Sequence, residues 1–236
     1  MRKTLPLPSV IAVDGPAGSG KSTVSFAVAQ KIGYLFVDTG AFYRAITLLA
    51  LERQLDLSDS ARLVALCQQT RLDMTPDLAD DGRQYTFLAD GRDITGALHS
   101  PEVDDKVSVV AAVGAVRAAI LDAQRALATR GRVIMAGRDI GTVVLPNADL
   151  KIYVDASLEQ RARRRTQQRL SNGEGVDLAE IMDNLRQRDA IDSQRKAAPL
   201  LRAPDAVYLD TSHLTLDEAI EATHQIIQEW RSNKSA

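Results

Sequence analysis

Short apolar runs, each broken by a turn, recur along the chain. Val10–Val13 is β-branched and stops at Asp14-Gly15, and from Lys21 to Ile32 the apolar residues fall at helical spacing, so strand, loop and helix follow one another. Comparable runs at Tyr34–Val37, Val133–Met135, Leu150–Val154 and Ala206–Leu209 each lead into a turn or a polar loop. Five strands alternating with helices predict a parallel sheet covered on both faces, since parallel strands need crossover segments that come to lie on the sheet. Ser157 with Gln160 and Thr215 with Glu218 have capping-box spacing. Leu216, Ile220, Ile227 and Trp230 share one face of the last helix, which should pack on the sheet.

Between Gln54 and Ser108 the rhythm changes. Asp77, Asp80, Asp81, Gly82, Gly91 and Gly96 punctuate short alternating stretches around Tyr85–Leu88 and Asp93–Ile94, which predicts an inserted small antiparallel unit. Further on, Arg161, Arg163, Arg164, Arg165 and Arg169 crowd one predicted helix that ends at Ser171-Asn172-Gly173. Taken alone they describe a solvated basic face.

Composition narrows the partners. The 236 residues, 45% hydrophobic, suit one α/β domain carrying insertions. Lys and Arg number 29 against 31 Asp and Glu, and the net charge of -2 gives no long-range pull toward nucleic acid or an anionic membrane. A bound anion must therefore be gripped locally. One cysteine, Cys67, excludes an internal disulfide framework and a cysteine metal cluster, and His99, His213 and His224 lack metal-ligand spacing and read as surface residues. Arg2 and Lys3 precede too short an apolar stretch for a leader, and no run approaches the roughly 18–20 apolar residues of a membrane span, so a cytoplasmic location is expected.

Gly15-Pro-Ala-Gly-Ser-Gly20-Lys21-Ser22 fits G-x-x-x-x-G-K-[ST] after a strand and at a helix start, the context a phosphate loop requires. Backbone N–H groups can wrap the β-phosphate there, Lys21 can reach the β and γ oxygens, and Ser22 can ligate Mg²⁺. The guanine-reading N-K-x-D element of a switch GTPase is missing, because the sole Asn-Lys pair, Asn233-Lys234, is followed by Ser235-Ala236. Separated arginines at Arg44, Arg117, Arg138, Arg188 and Arg195 suit transfer between two polyanions, whose equatorial charge must be balanced while water is excluded.

Four ordered motifs resemble the bacterial cytidylate kinases of the nucleoside monophosphate kinase group: Ile11 through Thr23; Asp38-Thr-Gly-Ala-Phe-Tyr-Arg44; Gly137-Arg-Asp-Ile-Gly-Thr-Val-Val144; and Arg188-Asp-x-x-Asp192-x-x-Arg195 before Pro199-Leu200. The likeness spans nearly the whole chain, and the long insert also resembles that family. It implies a single P-loop kinase domain with a five-stranded parallel core (1–38, 109–156, 197–236), an inserted small α+β unit binding the nucleoside monophosphate (39–108), and a short helical lid with its following helix (157–196). ATP would contact Gly15, Pro16, Ala17, Gly18, Ser19, Gly20, Lys21, Ser22 and Thr23, with Arg161 and Arg165 from the lid. Thr39, Tyr43 and Arg44 would lie near the acceptor, CMP or dCMP, with Arg44 and Arg138 on its phosphate and Ser108, Arg117 and Asp139 at the cytosine edge. Arg188 and Asp192 would approach the ribose, with Arg195 completing the base and phosphate contacts. Lys21, Arg138 and Arg188 are the expected catalytic cations, and Mg²⁺ the expected cofactor. The family's acidic residue before Gly-Arg-Asp is replaced by Ala136, so Asp14, ending the neighbouring strand, is the expected substitute for ordering metal-bound water. A monomer without nucleic-acid or membrane partners is expected. Two alternatives stay open: a P-loop kinase for UMP, AMP or a non-nucleotide acceptor, and a nucleotide-dependent module whose arginines hold RNA or a protein.

Overall fold

In the computed structural model, residues 7–76, 81–171, 173, 175 and 177–233 are described; Arg2, Lys3, Asp77, Asp80, Asn172, Lys234, Ser235 and Ala236 lie outside them. The chain begins with β1 (Val10–Asp14), α1 (Lys21–Ile32), β2 (Leu35–Asp38) and α2 (Gly40–Glu52). The insert follows as α3 (Ser60–Gln69), β3 (Leu72–Thr75), β4 (Thr86–Ala89), β5 (Arg92–Asp93) and α4 (Pro101–Ala112). Then come α5 (Gly114–Ala128), β6 (Val133–Gly137), a five-residue π-helical turn at Ile140–Val144, β7 (Leu150–Asp155), α6 (Leu158–Ser171), α7 (Leu178–Gln194), β8 (Val207–Asp210) and α8 (Leu216–Asn233).

The five strands anticipated from the apolar runs form one sheet in the order β2-β6-β1-β7-β8, and every pairing in it is parallel. Successive residues Ile11, Ala12 and Val13 are all buried, so both faces of central β1 are covered. Helix α1 with α8 behind it packs on the sheet, as does α5, which α3 backs. The carboxyl ends of β1, β2 and β6 align through the pairs Asp14↔Gly137 and Asp38↔Ala136, and loops leaving that edge carry the chemistry.

The insert holds the expected antiparallel unit, a three-stranded sheet β3-β4-β5. Its apolar residues Met74, Phe87 and Leu98 belong to the same core cluster as β1, and Phe42 of α2 meets Phe87 edge-on with ring centroids 5.0 Å apart. Asp59 caps α3 by accepting from Arg62 N–H, and Ser100 caps α4 just before Pro101, whose missing N–H costs nothing at that position. Thr215 and Glu218 form the full reciprocal box at α8, whereas Ser157 supplies only the half that accepts from Gln160 N–H.

One expectation for α8 changes. Ile227 is fully buried and Ile220 and Trp230 pack partly, but Leu216 is 52% exposed. The first turn of α8 lies over the cleft, so Leu216 lines that space and does not join the core. No single helix among the described residues is long and apolar enough to cross a membrane.

Candidate active site

Between the phosphate loop, the insert and α6–α7 runs a cleft of about 1170 Å³. At its floor the loop is pressed against β7: a Cβ on Gly15 would lie 2.0 Å from the Val154 carbonyl oxygen, so only glycine lets the chain turn there. Helix α1 opens at Gly20 without a side-chain cap, leaving first-turn N–H groups free to meet an anion. Lys21 is 6% exposed and donates to Pro16 O at 2.9 Å. Burial, and after it the charge of Arg138, holds its pKa well below the ordinary lysine value. Ser19 Oγ is buried with no hydrogen-bond partner, a donor that a phosphate oxygen would satisfy.

Ser22 Oγ donates to Asp38 Oδ2 at 3.1 Å, and Asp38 Oδ1 accepts from Gly40 N–H at 2.9 Å. A hydroxyl and a carboxylate at the helix start are hard oxygen donors that suit Mg²⁺. Among the described residues no group of three or more His, Cys, Asp or Glu could cage a metal, which fits an ion that keeps waters and shares substrate phosphates.

Asp14 corrects the earlier expectation. Both its oxygens are occupied by the π-helical turn, Oδ1 accepting from Ile140 N–H at 2.7 Å and Oδ2 from Gly141 N–H at 2.8 Å, and it does not line the cleft. It is a buried cap. The carboxylate that lines the cleft beside Ser22 is Asp38, in register with Ala136 on the adjacent strand. Its position inside the Asp38-Thr-Gly motif was the available signal.

All ten residues expected at the acceptor line this cleft. They are held by an alternating chain of charge. Arg117 of α5 contacts Asp139, Arg195 Nη2 lies 3.4 Å from the other Asp139 oxygen, Arg195 Nη1 lies 3.4 Å from Asp192 Oδ1, and Arg138 Nε donates to Asp192 Oδ2 at 2.9 Å. Helices α4 and α5 meet at 97°, and this elbow turns Ser108 and Arg117 toward the same wall. Arg117 also donates to Ala111 O and lies over the Tyr43 ring, 5.1 Å from its centroid. Burial pushes the Tyr43 hydroxyl up to about 12, so it stays protonated. Thr39 Oγ1 donates to Ala136 O, and a Cβ on Gly137 would fall 2.4 Å from that hydroxyl oxygen, which explains the glycine opening the third motif. Arg44 and Arg188 line the same cleft, Arg188 within electrostatic reach of Arg44, Arg138 and Asp192, and His99 lines it too.

The arginine-rich α6 divides its residues. Arg161, expected on ATP, is buried and does not line the cleft: it donates to Ala156 O, Ala17 O and Asp189, clamping the phosphate loop to α7. Arg165 lines the cleft as expected. Arg164, not singled out from the sequence, lines it too and bridges Ser19 O and Thr211. Arg161, Arg164 and Arg165 lie one turn apart on the same face of α6, so the split follows from their partners: Arg161, in the first turn, is taken up by Ala17 O and Asp189.

A phosphate loop facing several arginines, with a carboxylate–arginine pair at the far wall, is the arrangement the motifs anticipated. A family model described as "Cytidylate kinase" matches residues 11–229. The chain belongs to the cytidylate kinase family. A cytidylate kinase of Bacillus licheniformis is 45% identical over 217 residues, covering 92% of this chain and 95% of that protein. One from Herpetosiphon aurantiacus is 47% identical over 219 residues, covering 93% and 94%. Among solved structures, an uncharacterized protein from Eubacterium ventriosum superposes with a TM-score of 0.50 at 10% identity, covering 93% of this chain and 98% of that one, a likeness of fold alone. Both alignments thus cover nearly the whole of this chain and of each relative.

Proposed function

We propose that this cytidylate kinase family member transfers the γ-phosphoryl group of ATP to the phosphate of CMP, and of dCMP, giving CDP or dCDP and ADP. The observation that carries the reading is the buried Arg117–Asp139–Arg195 wall facing the phosphate loop across one cleft. Cytosine presents an N4–H₂ donor beside N3 and O2 acceptors, and a carboxylate flanked by guanidiniums is the complementary set.

Transfer proceeds in line, with no covalent enzyme intermediate. An oxygen of the acceptor phosphate is already ionised at neutral pH and serves as nucleophile, so no general base is needed. Lys21 and the loop N–H groups hold the β and γ oxygens, while Arg44, Arg138 and Arg188 hold the acceptor and balance charge as the phosphoryl group moves. Ser22 and Asp38 are the residues that would hold Mg²⁺, which would supply neutralisation of the ATP oxygens. Arg164 and Arg165 close the ATP side, where they exclude water. The phosphate loop, the acceptor residues and Arg164 and Arg165 all line one cleft, and we take the active form to be a monomer working in the cytoplasm.

The test is ADP release with MgATP and a panel of CMP, dCMP, UMP, AMP and shikimate. CMP and dCMP should be turned over with the highest kcat/KM. Preference for UMP, AMP or the non-nucleotide would defeat the reading of the base wall.

A further inference from the structure

Asp104, on α4 of the insert, is 2% exposed and faces three guanidiniums carried by three different elements. Arg44 Nη1 of α2 donates to its Oδ1 at 2.5 Å, Arg165 of α6 contacts its Oδ2, and Arg188 Nη1 of α7 lies 4.0 Å from Oδ1. Arg188 Nε is buried without a hydrogen-bond partner. Burial, followed by the charges of Arg44 and Arg138, lowers the Arg188 guanidinium to about 9. Asp192 offsets part of this at Arg188 and Asp38 does so at Arg44, yet the guanidiniums still repel one another in a poorly hydrated site.

We propose that Asp104 is a positioning residue for the acceptor phosphate: an internal carboxylate that gathers Arg44 and Arg188 together with Arg165 of the ATP side, and is displaced as the partner of Arg44 and Arg188 by the incoming phosphate. The inference rests on the reading above that Arg44 and Arg188 hold the acceptor, and it places both on the acceptor's phosphate. A phosphate offers a larger charge and more oxygens than one carboxylate, so the exchange is favourable, yet its strength is a difference between two partners. Asp104 thereby links insert, lid and α7 to arrival of the acceptor, and it keeps product from being held too firmly.

The experiment saturates the phosphate loop with a non-hydrolysable MgATP analogue and then titrates inorganic phosphate and CMP by calorimetry. With the competitor neutralised, Asp104→Asn should bind phosphate about tenfold more tightly, the scale of one charge-assisted contact. Its KM for CMP should fall, its kcat should fall as product leaves more slowly, and its melting temperature without acceptor should drop and recover with phosphate. Asp104→Glu, which keeps the charge, should restore phosphate affinity close to wild type. Unchanged or weaker phosphate binding in Asp104→Asn overturns the proposal, and a lower melting temperature alone marks a merely structural carboxylate. Should Asp104→Asn not fold, Asp104→Asn/Arg165→Gln is compared with Arg165→Gln, and equal phosphate affinity in that pair overturns it as well. A wild type that binds phosphate here but turns over no CMP would refute the acceptor reading and leave the cluster measurement standing.

Discussion

Lys21 is buried with its pKa held well below the usual lysine range, so folding disfavours its charged form. For a depressed lysine, the stabilising contribution is present above the unfolded pKa and is lost as pH falls through the folded one, so at neutral pH the charge weighs against the fold. Lys21→Met should consequently keep or raise the melting temperature while cutting transfer by on the order of a hundredfold or more. A melting scan beside initial rates checks both halves, and near-normal turnover would sink the loop assignment. Asp14 has the opposite displacement: burial raises its pKa from 3.8 to about 6 against the pull of the two backbone donors. A carboxyl raised in the fold stabilises fully below 3.8, and that contribution is lost as pH rises through about 6. Asp14→Asn replaces an acceptor oxygen with an amide group facing N–H donors, and should cost about 1–3 kcal/mol and flatten the stability profile between pH 4 and 6. Its rate against free Mg²⁺ should stay where the wild type's is, whereas Asp38→Asn should move that curve 10- to 100-fold. An Mg²⁺ curve moved by Asp14→Asn and not by Asp38→Asn would reverse the two roles.

At the scale of elements, the elbow between α4 and α5 brings Ser108 and Arg117 to the cleft that Asp139 also lines, the wall proposed to read the base. Arg117 is buried against Asp139, so Arg117→Ala leaves a carboxylate that retains only the Arg195 contact at 3.4 Å. The variant should lose kcat/KM for CMP by about 5- to 150-fold, equivalent to 1–3 kcal/mol, with ATP binding little changed. Equal losses for CMP and UMP would show that the wall does not read the base. The same elbow shows how far the sequence carries. Strand runs such as Val10–Val13 and Leu150–Val154, and the helix Lys21–Ile32, were legible because period and turn signals are local. Arg117 and Asp139 were legible only through motif likeness, since nothing local announces that α5 meets the end of β6. Arg161 misled because a guanidinium that clamps backbone carbonyls and one that faces a cleft are the same letter. Asp104 gave no signal at all: its meaning lies in three arginines brought from α2, α6 and α7.

At the scale of the molecule, the described residues form two hydrophobic clusters of very different size. Sheet, insert and α8 share the large one, which takes in residues from Ile11 through Phe87 and Leu98 to Ile227. The small one has Ala17, Ala162, Ile181 and Leu185 as its buried members, with Leu158 and Met182 packed alongside. It is the apolar support of α6 and α7, and it reaches the loop only through Ala17. A segment with so few buried apolar contacts should open at lower free energy than the sheet. Polar links make up the difference, chiefly Arg161 to Ala17 O and Asp189. Under native conditions, backbone amides of α6 and α7 should therefore exchange with deuterium well before those of β1, β6 and the insert strand β4. A non-hydrolysable MgATP analogue, bridging the loop and the lid arginines, should slow α6 and α7 selectively, by up to about 100-fold at one hundred times its Kd if the open form does not bind it. Arg161→Ala removes the polar link, so α6 and α7 should exchange faster while β1 and β4 hold their wild-type rates. If α6 exchanged as slowly as β1, or if Arg161→Ala loosened insert and lid alike, the lid would be part of the main cooperative unit and this division of the molecule would be wrong.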